Sequence, residues 1–136
     1  MGMIKVNAED LSRGKLFAPG KWYRVKVVSF SEEQSRGDNP STNYIWKLVA
    51  IPTGDPETDA YAGSSPGVLF NERGIDFRFE EFMSACGITK DADGGYSVEG
   101  RALVGKELEV FVKHRADKND KSRFYNDCSS FRKVGD

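Results

Sequence analysis

From Lys21 to Phe30 the apolar residues alternate: Tyr23, Val25 and Val27 face one way, and Trp22, Arg24, Lys26 and Phe30 the other. Alternation of this kind predicts a half-buried strand with one apolar face and one basic, aromatic face. Ala18-Pro19-Gly20 marks the turn before it, and the polar run from Ser31 to Thr42 reads as a loop. A second strand is expected from Asn43 to Ile51, ending at Pro52 and forming a hairpin with the first. In it Tyr44, Trp46, Leu48 and Ala50 share the core face, opposite Asn43 and Lys47. Residues 52–67 hold prolines, glycines and acidic side chains and read as a surface loop, followed by a short strand at Val68-Leu69-Phe70. Then the period changes. Phe79, Phe82, Met83 and Cys86 recur at i, i+3, i+4 and i+7, which predicts a helix of about three turns with Asp76 as N-cap and Gly87 just past its end. Leu108, Val110 and Val112 alternate in a fourth strand with Glu109, Phe111 and Lys113 on its other face, Ala116 to Ser122 forms a loop, and Arg123 to Phe131 makes a fifth strand.

Five short strands with one helix between the third and fourth is the element order of the five-stranded OB-fold Greek-key barrel, a mainly β class. Other small α+β arrangements share that count. A chain of 136 residues with 38% hydrophobic and 12% aromatic content suits a single domain spanning 1–136, with residues 1–20 as an N-terminal arm. There is no apolar run long enough for a membrane helix, and the start, Met1 to Val6, lacks that of a signal peptide, so a cytoplasmic protein away from membranes is expected.

Catalytic patterns are few. Gly63-Ser64-Ser65-Pro66-Gly67 fits G-x-S-x-G, but a nucleophile elbow takes an oxyanion-hole N–H from the residue after the serine, and Pro66 has none. A small hydrolase built on Ser65 is therefore the weakest reading. Asp55-x-Glu57-x-Asp59 and Asp91-x-Asp93-Gly94 do not complete a calcium loop and read as turn carboxylates. One histidine, His114, and two widely spaced cysteines, Cys86 and Cys128, suggest neither a metal site nor a disulfide, and no cofactor is expected. The cysteines read as small core hydrophobes.

The net charge of −1 conceals an uneven distribution. Residues 1–51 carry eight cations against five carboxylates, 52–104 four against ten, and 105–136 eight against six. The ends are basic and the middle is acidic. On the outward faces, cations alternate with rings: Trp22, Arg24, Lys26 and Phe30 on the first strand, Phe111, Lys113 and Arg115 on the fourth, Arg123 and Tyr125 on the fifth. Single-stranded nucleic acid suits such a mixture, because bases stack on rings while phosphates pair with Lys and Arg. In an OB barrel the loops after the first and fourth strands flank the ligand groove, which adds Arg36, Lys118 and Lys121, with Lys47 on the second strand.

The runs Leu16 to Val27, Asn43 to Leu48, Ala85-Cys86-Gly87, Leu103-Val104-Gly105-Lys106 and Tyr125 to Phe131 resemble phage-encoded single-stranded DNA-binding proteins of the OB-fold type. The resemblance spans nearly the whole chain and implies non-catalytic, largely sequence-independent cover for exposed strands in phage DNA replication or recombination. Implied partners are single-stranded DNA, replication or recombination proteins and further copies of the chain, in the host cytoplasm. Many such proteins recruit enzymes through an acidic C-terminal tail; this sequence closes on Val134-Gly135-Asp136, so recruitment by that route is not expected. The competing reading is a protein-interaction module of a phage replication or virion assembly that uses the same barrel without DNA.

Overall fold

The computed structural model describes residues 16–135, so most of the expected N-terminal arm lies outside the described residues. Five strands, β1 (Lys21–Gln34), β2 (Thr42–Ala50), β3 (Gly67–Asn71), β4 (Glu107–Ala116) and β5 (Phe124–Arg132), form one antiparallel sheet in the order β3-β2-β1-β4-β5. Two helices interrupt them, a short α1 (Pro56–Asp59) and α2 (Phe77–Ala85), with a 3-10 turn at Gly100–Leu103. The protein is mainly β; the five strands and the helix between β3 and β4 follow in the order read from the sequence, while the short α1 lies in the segment 52–67, expected to be a plain surface loop. Among the described residues no helix is long and apolar enough to cross a membrane.

The alternating residues of β1 build the core as expected: Tyr23, Val25 and Val27 are buried against Leu108 and Val110 of β4 and Leu48 of β2. β1 does not end at Phe30. It continues to Gln34, with Ser31 to Gln34 paired to Ile45 to Thr42, so the expected twelve-residue loop contracts to residues 35–41. Ser35 and Ser41 close that connection through backbone and hydroxyl hydrogen bonds, which replaces a free loop with a short turn. The acidic segment 52–67 is likewise pinned. Asp59 accepts from the N–H groups of Thr53 and Gly54, Glu57 pairs with Lys21, and the Tyr61 ring stacks on Phe17 at 5.0 Å.

Helix α2 begins where its sequence signals place it, with the Asp76 carboxylate accepting from Arg78 N–H, and it ends before Gly87 at φ 79°. Phe82 and Met83 are buried, and the Phe82 ring lies 5.0 Å from Phe131 of β5 and 5.2 Å from Trp46 of β2. Closure of the expected Greek-key barrel is not formed: among the described residues β3 and β5 share no ladder and the sheet stays open. Side chains of α2 reach both free edges. Arg78 donates to the Leu69 carbonyl of β3 at 2.9 Å and lies 3.8 Å from the Asp127 carboxylate of β5, while Glu81 accepts from Phe131 N–H. Edge backbone groups that a closed barrel would pair are thus met by the helix.

Burial pushes the thiols of Cys86 and Cys128 and the phenol of Tyr23 up to about 12. Unfolded, these groups titrate near 8.5 and 10, so above about pH 9 the unfolded chain binds fewer protons than the folded one. Stability should therefore be complete below about pH 8.5 and fall progressively toward pH 12. Urea midpoints measured from pH 7 to 11 should decline beyond pH 9; a flat profile through pH 11 would contradict the burial of these groups.

Candidate nucleic-acid interface

The sheet face turned away from α2 carries most of the residues picked out by sequence. On β1 it presents Trp22, Arg24 and Lys26; their ladder partners on β4 are Phe111, Glu109 and Glu107. Trp22 and Phe111 lie side by side, with ring centroids 5.4 Å apart and planes at 60°. The Arg132 guanidinium lies 3.9 Å above the Trp22 ring, and its Nε donates to Glu109 at 2.9 Å. Cation, indole and phenyl thus form one surface cluster fixed by a carboxylate. Arg132 lies outside the strand expected from the sequence, which stops at Phe131; only the ladder register places it directly across from Glu109.

Farther along the same face, Lys113 and Arg115 are exposed on β4, with Tyr125 beside Arg115 on β5. The Arg123 guanidinium is 5.5 Å from the Tyr125 ring centre, and the Tyr125 hydroxyl donates to Asp117 at 2.7 Å. That hydrogen bond and the turn amides of Asn119 and Asp120 hold the Asp117 carboxyl below its ordinary range. Lys118 and Lys121 extend from the adjoining turn, residues 117–123. This β4–β5 end carries Lys113, Arg115, Lys118, Lys121 and Arg123 against Asp117, Asp120 and Asp127, the last being the ladder partner of Lys113, and so keeps a positive surplus; Arg24 and Lys26 each stand opposite a glutamate.

Phe30 belongs elsewhere. A bulge between Val27 and Ser29 shifts the β1 register, so Phe30 turns to the core side against Trp46, with centroids 4.9 Å apart. One extra residue in a strand reverses the facing of everything beyond it. Lys47 is exposed on the outer face of β2, paired with Ser29 and Gly67 well away from the Trp22 cluster. Arg36 is exposed in the β1–β2 turn, at the end of β1 opposite to the one that meets Val112. Neither joins the cluster.

Trp46 and Tyr23 are core residues, 2% and 1% exposed. The Trp46 indole N–H donates to the Gly100 carbonyl at 2.9 Å, and a Cβ on Gly100 would stand 2.3 Å from the Phe30 ring, so only glycine fits this contact. Ser65 donates its hydroxyl to the Leu48 carbonyl, tying the segment before β3 to β2. His114 Nε2 meets the Phe17 carbonyl at 2.6 Å. The acidic fragments serve turns: Asp55 caps α1 and Asp93 accepts from Gly95 N–H. Comparison with protein-family models and with curated proteins returns no match.

Proposed function

We propose that the protein binds single-stranded DNA without catalysis and with little sequence preference, on the outer face of β1, β4 and β5. The observation that carries this reading is the Trp22–Phe111–Arg132 cluster, continuous along β4 with Lys113 and Arg115. Bases stack on aromatic rings and on guanidinium planes, and phosphates pair with the flanking cations. Arg24 Nε is buried with no hydrogen-bond partner among the described residues, a donor that an oxyanion drawn to this face can satisfy on a small rearrangement. The ladder order and the helix between β3 and β4 support an opened version of the OB barrel, and the phage replication or recombination role follows from the family resemblance.

Lys113 and Arg115 provide the test, since both are exposed and their reversal leaves the core untouched. Single strands release roughly 0.7 counterion per phosphate contact. Lys113→Glu combined with Arg115→Glu should therefore flatten the slope of log affinity against log salt by about 1.4 and weaken binding of oligothymidine. An unchanged slope in the folded double variant would place any DNA site off this face.

A further inference from the structure

On the other side of the sheet, the extended ends of β1 and β2 form a cleft of about 560 Å³ with α2 and the segment leading to the 3-10 turn. Its walls are aromatic: Phe30, Tyr44, Trp46, Phe79 and Tyr96, with Phe79 5.9 Å from Tyr96 and 6.5 Å from Trp46. That volume lies within the range of small-ligand and side-chain pockets. Three carboxylates, Glu32, Asp76 and Glu80, stand at its lining against a single ammonium, Lys90, which is paired with Glu80. The Glu32 backbone is held in the β2 ladder, and its carboxylate has no hydrogen-bond or ionic partner among the described residues.

The charge decides between occupants. A lining with two net negative charges repels a phosphate chain, so the rings here are poorly placed for nucleic acid despite their number. A Lys or Arg side chain is attracted twice, by the carboxylates and by the faces of the rings, and an apolar neighbour can fill the remaining aromatic space. We infer that this cleft docks a segment of a partner protein in which a basic residue sits beside an apolar one. It opens on the core side of the sheet, opposite the Trp22 cluster, so the two sites can be occupied together. The inference stands independently of DNA binding.

The probe is the peptide acetyl-Lys-Phe-Lys-Leu-amide, titrated into the nitrogen-15-labelled full chain, with acetyl-Glu-Phe-Glu-Leu-amide as the charge-reversed control. The basic peptide should move, saturably, the Trp46 indole N–H signal and the amides of Gly94, Gly95 and Gly100, and the acidic one should not. Glu32→Lys should weaken the basic peptide by about threefold to tenfold, since reversal replaces the attraction of an exposed charge pair with repulsion. Tyr96→Ala, with folding verified from the same spectra, should weaken it as well. No shift with the basic peptide, equal shifts with both peptides, or an unaltered response in folded Glu32→Lys would overturn the inference. So would oligothymidine moving these cleft signals in place of those of Trp22 and Lys113, which would assign the cleft to nucleic acid.

Discussion

Trp46→Ala is expected to destabilise the protein by about 3–5 kcal/mol, the range for removing a buried large aromatic side chain. Trp46 is 2% exposed, and its ring meets Phe30, Phe70, Phe79 and Phe82 at centroid distances from 4.9 to 6.5 Å. It links β2 to β1, β3 and α2 at the open side of the sheet, where among the described residues no ladder joins the edges. Deleting it removes the packing and leaves the Gly100 carbonyl without its donor. Trp46→Phe retains a ring but not the indole N–H and should cost less, about 1–3 kcal/mol. Denaturant unfolding of the two variants measures both; a loss under 1 kcal/mol for Trp46→Ala would mean that this ring does not hold the open sheet together.

For Trp22→Ala the expected loss falls on binding. Removing one stacking ring should weaken affinity for oligothymidine by about 1–3 kcal/mol, roughly fivefold to 150-fold. Its stability cost should stay near 1 kcal/mol, because the ring lies on the outer face and the lost contacts are one aromatic pair and one cation–π pair. Trp22→Phe keeps a stacking surface and should recover much of the affinity. If Trp22→Ala instead unfolds the chain, or binds as tightly as the parent, the outer cluster is not a base platform.

These two tryptophans mark how far the sequence could be read. The opposite facings of Trp22 and Trp46 are legible because each lies in an unbroken alternation: Tyr23, Val25 and Val27 on one strand, Tyr44, Leu48 and Ala50 on the other. Helix α2 was legible from its cap, its period and Gly87. Phe30 was not, because the bulge that turns it inward is set by pairing: Val27 hydrogen-bonds to Gly105 and Lys106, residues distant in the chain, before the β2 ladder resumes at Ser29. Ser31 to Gln34 looked like a loop because their side chains are polar, yet β2 supplies a full ladder that needs no apolar face there. The aromatic cleft was invisible for a related reason: its walls come from β1, β2, α2 and the segment after it, which only the fold brings together. Open edges bridged by Arg78 and Glu81 likewise left no periodic trace.

The most direct test of single-strand binding is an anisotropy titration of fluorescently labelled oligothymidine, set beside a duplex of equal length at the same salt concentration. Bases in a duplex are already stacked and paired and cannot reach Trp22 or Phe111, whereas those of a single strand can. The single strand is expected to bind at least about tenfold more tightly than the duplex, and each to weaken as salt rises. Equal affinity for both would reduce the outer face to a nonspecific charged surface, and absence of single-strand binding would contradict the account outright.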